Sequence, residues 1–509
     1  MLKRDGFLKS LWQQDIPAYK SVNKYTKNSV CDVAIVGGGI TGITLALLLQ
    51  KSGKKCIVLE AHSLCFGTTG GTTAHLNNFM DTPYSKISSN FGEGGAQQVA
   101  DAAEKAIQLI ENNINKYKID CEFVNVVAHL FACDDNQKKD LEDIVEGFKK
   151  VGIKSGFVSE VDVPIPFVKA VEIPGQARFH PTAYVMALAA EFEAAGGIIV
   201  QQCRVENTEG EAIIDISTSV GNYSANTLVY ATHTPPGVNL LHLRMAPWRS
   251  YAIAVRLEDD AYPEALCYDL YDPYRYYRKQ IVNNIPYLIV GGEDHKTAHE
   301  EDTDSCLKRL EDHVRDYFQV KSVEFKWSSQ YYEPVDGIPY IGNYPGHNDN
   351  IFVATGFGGN GMIYSAVAAL LLKDLVEGKD HPWKELFNPK RVKPVAGFVG
   401  FVKNNADVAK DFIGKWFSSE KIEKLSELKA GEGKVVKYEE HMIALHKDDN
   451  GQLHAVSPAC THLKCSVAWN PSEKSWDCPC HGARFNMDGE LLNGPANTDL
   501  EKIDLKSDQ

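Results

Sequence analysis

From Asp32 to Gln50 the chain passes from an apolar run, through a knot of glycines, into a second apolar stretch. Val33-Ala34-Ile35-Val36 reads as a buried strand and Ile43 to Gln50 as a helix, with Gly37-Gly38-Gly39-Ile40-Thr41-Gly42 turning between them. Cys56-Ile57-Val58-Leu59 is a second short strand. Helices are predicted from Ala183 to Glu193 and from Met362 through Asp374, and strands end at Tyr230 and Val353. Between these elements the pattern changes. Tyr251–Val255, Cys267–Tyr271, Tyr274–Arg278 and Tyr287–Gly292 are rich in β-branched and aromatic residues and predict strands of a second, mixed or antiparallel sheet. Val399 to Trp416 is apolar at helical spacing, with Lys and Asp between, and predicts a helical connector over 389–428. From Gly431 onwards short alternating strands such as Val435–Tyr438 and Met442–Leu445 predict a small all-β unit.

A chain of 509 residues accommodates two or three such units. Its formal charge of −14 argues against nucleic acid or anionic membrane as a partner. The long apolar run Val33–Leu49 is broken by glycines, so no membrane span is expected. The N-terminus opens with Lys3, Arg4 and Asp5 and has no apolar core of a signal peptide. Eight of the twelve cysteines are scattered without a framework, which fits a reducing compartment. The expected location is cytoplasmic.

The glycine turn is G-x-G-x-x-G in a strand–turn–helix setting. Gly37 permits the turn, Gly39 lets backbone approach a pyrophosphate, and Gly42 allows close packing of helix on strand. Glu60, at the end of the second strand, suits ribose hydroxyls. These features leave FAD and NAD unseparated. Glu60-Ala61-His62 then leads into Gly67-Thr68-Thr69-Gly70-Gly71-Thr72-Thr73-Ala74-His75, which resembles the second signature of the D-amino-acid-oxidase-like FAD oxidoreductases, the glycine oxidase and sarcosine oxidase group. Phe179-His180-Pro181, Ala231-Thr232-His233 (with His233 where the family has Gly) and Thr355 to Met362 recur in that family's order. The resemblance implies FAD held by Gly37, Gly39, Ile40, Thr41, Gly42, Glu60, Ala61, Gly67, Thr68, Thr69, Thr73, Ala74, Ala231, Thr232, Gly356, Gly359, Asn360, Gly361 and Met362. It places FAD-binding segments at about 31–85, 176–235 and 335–380 of a 1–388 domain. His75 does not fall at the family's covalent anchor and reads as polar packing. One fingerprint alone is present, so electrons are expected from an organic substrate, not from NAD(P)H.

On the substrate side, Tyr271, Tyr276, Arg278, Tyr331 and His295 are the residues to inspect. Amino-acid-oxidising relatives often carry Arg-Pro five and four residues before an Asp-Gly pair, where the Arg clamps the substrate carboxylate. Before Asp336-Gly337 those positions hold Tyr331 and Tyr332, so the clamp is missing unless Arg249 or Arg278 replaces it. The missing clamp speaks against an α-amino acid and leaves open an amine or a substrate outside the family's norm.

Near the C-terminus, Cys460-Thr461-His462 and Cys478-Pro479-Cys480-His481 each supply one thiolate and one imidazole. Zinc sites usually keep like ligands together, whereas a Rieske [2Fe-2S] centre takes two Cys on one iron and two His on the other. Residues 429–509 resemble the Rieske domain family. The resemblance implies Cys460, His462, Cys478 and His481 as ligands and a disulfide between Cys465 and Cys480. High-potential members resemble one another in a Ser and a Tyr whose hydroxyls bond the cluster sulfurs; Ala483 and Phe485 stand there instead, which implies a lowered potential.

The expectation is an α/β FAD-binding domain with an interleaved sheet roofing the substrate, followed by a small all-β [2Fe-2S] domain. An amine or amino-acid-like substrate gives hydride to the flavin, and electrons pass singly through the cluster to an external acceptor, a protein or a quinone. The alternative is an electron-transfer or redox-sensing protein that turns over no small molecule, and reversed flow from cluster to flavin is a third reading.

Overall fold

The computed structural model describes residues 2–27, 29–271, 273–392, 420–421, 427–439 and 441–505. The first expected strand spans Val30–Val36 and is buried from Val33 to Val36, as a strand covered on both faces must be. It pairs in parallel with Cys56–Leu59 on one side and Gly221–Tyr230 on the other. The resulting eight-stranded sheet runs Tyr340–Asn343, Ile351–Thr355, Gly221–Tyr230, Val30–Val36, Cys56–Leu59, Ile198–Val200, with Val205–Glu209 and Ile214–Thr218 appended antiparallel. Helices Ile40–Lys51, Pro181–Ala194 and Gly361–Val376 are buried on most sides. Their apolar residues are spread around the helix instead of forming one stripe, because Ile40–Lys51 is packed against both of the others.

The second sheet has nine strands, ordered Val320–Pro334, Met245–Leu257, Ile285–Lys296, Arg275–Val282, Leu266–Asp269, Val124–Ala132, Lys169–Arg178, His75–Leu76, with Gly156–Val158 at the side. The strand expected to reach Tyr271 stops at Asp269. There the Asp269 carboxylate accepts the N–H groups of Tyr271 (3.2 Å) and Arg275 (2.7 Å) and closes a turn. Amphipathic helices Tyr84–Tyr117, bent at Gly92, Asp135–Lys150 and Thr303–Tyr317 cover the flanks.

The C-terminal unit holds two four-stranded sheets, Glu420–Lys421 through Leu453–Val456 and Ala468–Asn470 through Leu491–Asn493. Most of the connector helix expected between the units falls at 393–419 and 422–426, outside the described residues. The seam between units is closed by a buried ionic network that the sequence did not announce. Arg4 and Asp5, 5% and 1% exposed, meet Arg249, Glu473, Asp477 and Arg484, all within 1% of full burial. Arg4 pairs with Glu473 (3.4 Å), Arg249 with Glu473 (3.7 Å) and Asp477 (3.9 Å), and Arg484 with Asp5 (3.3 Å) and Asp477 (3.1 Å).

Candidate functional site

A cavity of about 320 Å³ runs from the end of Cys56–Leu59 to the second sheet. Gly37 opens it with φ 113°, and a Cβ there would meet the Ala231 carbonyl oxygen at 2.5 Å. A Cβ on Gly42 would stand 2.0 Å from the Gly37 oxygen, so Gly42 serves helix packing and does not line the cavity. Ala74 and Gly356 are also absent from its walls. The other sixteen residues expected to hold FAD all line it. The N-termini of Ile40–Lys51 and Gly361–Val376 both open on the cavity, and two helix N-termini suit the negative parts of a dinucleotide. Glu60 takes the N–H groups of Gly38 (2.6 Å) and His62 (2.8 Å), and burial raises its pKa. His233 keeps the backbone of the glycine it replaces, with φ 67°. The glycine-lined channel, two helix ends and terminal carboxylate fit an FAD-sized ligand.

At the far end the walls are Tyr268, Tyr274, Tyr276 and Tyr331, with Asp81, Asp294 and His75 among them. Of the residues singled out from the sequence on the substrate side, Tyr276 and Tyr331 line this end. Tyr271, Arg278 and His295 do not line the cavity. Arg278 shares a strand face with Tyr276 but lies two residues further on, beneath the Thr73–Ala74 segment. Its guanidinium donates to the carbonyls of Thr73 (2.7 Å), Ala74 and Phe179. Arg249 is spent in the seam, so neither arginine replaces the missing clamp. His295 is displaced by a β-bulge. Tyr251 opposes Gly292 and Arg249 opposes His295, so one extra residue enters at Glu293, whose φ is 59°. Gly291 pairs with Ala252 and Tyr276, which line the cavity; unbroken alternation from Gly291 would bring His295 to that face, and with the extra residue Asp294 lines it instead.

Asp294 accepts the Tyr331 hydroxyl (3.1 Å) on Oδ2, while its buried Oδ1 has no hydrogen-bond partner. Burial, aided by the like charge of Asp81, raises its pKa to about 7. Asp81 is likewise raised by burial, against hydrogen bonds from Gly359 and Asn360. His75, expected as packing, borders the cavity; its Nδ1 is 2.6 Å from the Tyr268 hydroxyl, and burial holds its pKa well down. Strand alternation around Tyr276 was the signal for Tyr274; nothing local marked Asp81.

In the C-terminal unit, Cys460 and Cys478 are buried free thiols, and the rings of His462 and His481 lie 5.0 Å apart. All four ring nitrogens of these histidines are buried without hydrogen-bond partners, as ligands awaiting a metal would be. Cys465 and Cys480 are joined in a disulfide, which removes them from the ligand set although they approach Cys478 Sγ within 4.8 Å. Two buried cysteines and two histidines with buried, open ring nitrogens fit a [2Fe-2S] cluster of Rieske type. His242, from the first unit, sits over them at 4.9 Å from His462 and 5.8 Å from His481, ring to ring.

The two sites share walls. Leu491, Leu492, Asn493, Gly494, Ala496 and Asn497 of the C-terminal unit line the dinucleotide cavity. Tyr332 donates to the His481 carbonyl (3.2 Å), and its ring packs edge-on against His233 (4.8 Å), itself a cavity wall. Gln330 donates to the Gly482 carbonyl (2.8 Å). Neither Tyr332 nor Gln330 carried a signal beyond its place beside the missing clamp.

A family model for FAD dependent oxidoreductases matches residues 32–375, and one for the Rieske [2Fe-2S] domain matches residues 418–504. YhfW of Bacillus subtilis (strain 168), which bears the name of a Rieske 2Fe-2S iron-sulfur protein, is 34% identical over 96% of both chains. Gamma-glutamylputrescine oxidoreductase of Escherichia coli (strain K12) is 23% identical over 70% of this chain and 88% of its own. The crystal structure of glycine oxidase from Geobacillus kaustophilus superposes with a TM-score of 0.61 and 20% identity, covering 71% of this chain and 99% of that one. Among the described residues no helix is long and apolar enough to cross a membrane.

Proposed function

The chain belongs to the FAD-dependent oxidoreductase family and carries a C-terminal Rieske [2Fe-2S] domain, and from that premise we propose that it oxidises an amine or amino-acid-like substrate and relays the electrons internally to an external one-electron acceptor. FAD, when bound, supplies a two-electron acceptor for a substrate hydride, and the cluster supplies a one-electron carrier.

In this reading the first domain's glycine turn and helix ends hold the dinucleotide, and Glu60 holds its ribose. Cys460, His462, Cys478 and His481 hold the cluster. The second sheet orients the substrate and keeps water from it. The observation that supports an internal relay is the seam: one side chain, Tyr332, touches both a cavity wall and the carbonyl of a cluster ligand. A packed route of this kind leaves no gap of solvent between the two sites.

The test is anaerobic mixing of the holoenzyme with candidate amines and amino acids, following flavin bleaching by absorbance and cluster reduction by EPR. Bleaching followed by the cluster signal is expected. Bleaching with a cluster that never reduces would refute the relay.

A further inference from the structure

We propose that the far end of the cavity binds an alkylammonium cation lacking an α-carboxylate, held by Asp294 and Asp81 within the tyrosine walls, and that Asp294 takes the proton the bound ammonium must lose. The inference rests on the oxidoreductase reading and names its substrate class.

Four observations carry it. First, the bulge at Glu293 swings a carboxylate into the cavity in place of His295, and bulges beside active sites commonly re-aim a side chain in this way. Second, Asp294 Oδ1 is buried in that cavity with no donor, although Ser250 and Tyr331 serve the same carboxyl group. A buried acceptor left open is costly unless a ligand N–H completes it. Third, Tyr268, Tyr274, Tyr276 and Tyr331 line this end, and aromatic rings are the side chains whose electron-rich faces attract ammonium groups. Fourth, the cations are accounted for. Arg278 is consumed by backbone carbonyls and Arg249 by the seam, and among the described residues the one cationic side chain lining the cavity is Arg204, at the Glu60 end. A substrate carboxylate would meet Asp81 and Asp294 with nothing to neutralise it.

The proton step balances without any other reagent. An N–H bond of the ammonium breaks and an O–H bond forms at Asp294 Oδ1, turning an ion pair into a neutral amine and a neutral acid. The neutral amine is the form whose α-hydrogen leaves as hydride. The groups found to act on Asp294 or to be acted on by it are Asp81, Glu293, Ser250, Tyr274, Tyr276 and Tyr331, and none of these is cationic.

The experiment compares matched probes on the anaerobic, fully loaded holoenzyme: benzylamine against phenylglycine, phenethylamine against phenylalanine, and putrescine against ornithine, with benzyltrimethylammonium as an inert cation. Binding is read by calorimetry and by perturbation of the flavin spectrum. Amines are expected to bind at least about tenfold more tightly than their α-carboxylated counterparts, since unpaired like charges in a binding site discriminate strongly. Asp294→Asn is expected to weaken amine binding about tenfold while leaving the carboxylated probes no weaker. Equal or tighter binding of the carboxylated probes, or no binding of any amine, overturns the inference. Should Asp294→Asn fail to fold, the ranking on the wild-type protein still decides. Amine binding without flavin bleaching would leave the cation site standing and refute the oxidation proposed above; bleaching by amino acids alone would do the reverse.

Discussion

Ala483 and Phe485 are fully buried beside the cluster ligands and offer no hydroxyl to its sulfurs. Donors to sulfur stabilise the reduced cluster, so the midpoint is expected in the lower part of the about −150 to +300 mV Rieske range, with Ala483→Ser raising it. A redox titration followed by EPR measures both, and a wild-type value at the top of that range would contradict the expectation. Asp294 makes a different prediction. Its folded pKa, near 7, lies above the ordinary carboxylate value, so the unliganded protein loses stability as pH rises from about 4 to about 7, where the unfolded chain ionises more readily. Asp294→Asn is therefore expected to stabilise the unliganded protein at pH 8, on the order of 2 kcal/mol after allowing for solvent contact, and to be neutral near pH 4. Thermal melts at the two pH values test this. The contrast between these residues shows what a sequence carries. A [2Fe-2S] domain was legible because the cysteines and histidines proposed to hold the cluster come in two local pairs, Cys460 with His462 and Cys478 with His481. Asp294 was not, because its aim depends on one inserted residue in a pairing with a strand some forty residues away.

Elements were read best where the chain is apolar on every side. Val30–Val36 and the helices Ile40–Lys51 and Gly361–Val376 matched their patterns, since burial leaves no other use for such runs. The amphipathic helices and the loops of the seam were not legible, because their partners are distant in sequence. Gly482 is a tight point of that seam. Its φ is 74°, and a Cβ would fall 2.6 Å from Pro247 Cβ and 2.9 Å from the Tyr332 hydroxyl. Gly482→Ala is expected to cost about 1–3 kcal/mol through strain and overpacking and to part the loop from its neighbour. Denaturant unfolding and limited proteolysis between the domains would report it. Tyr332→Leu removes both the His481 contact and the ring against His233. Slower appearance of the cluster EPR signal after flavin bleaching is expected, and an unchanged rate would remove Tyr332 from the route.

Across the molecule, the ionic seam fixes the C-terminal domain on the first. Burial alone would raise the pKa values of Asp5, Glu473 and Asp477, but the guanidinium groups facing them hold the net values below the ordinary range. Carboxylates lowered in this way contribute stability that is present above about pH 4 and is lost as pH falls through their folded values. Acid is therefore expected to separate the domains before it melts the sheets, visible by small-angle scattering below about pH 4. Arg249→Met leaves Glu473 and Asp477 short of a buried partner and is expected to cost about 3–5 kcal/mol in a denaturant melt. The wall contributed by Leu491 to Asn497 has a consequence for how the protein is put together. A dinucleotide in that cavity would rest on the same unit that carries Cys460 and Cys478. Retention of the flavin and loading of the cluster are then expected to be linked, each raising the affinity for the other by the same factor. Protein produced under iron starvation is expected to retain less flavin, read from its flavin-to-protein absorbance ratio.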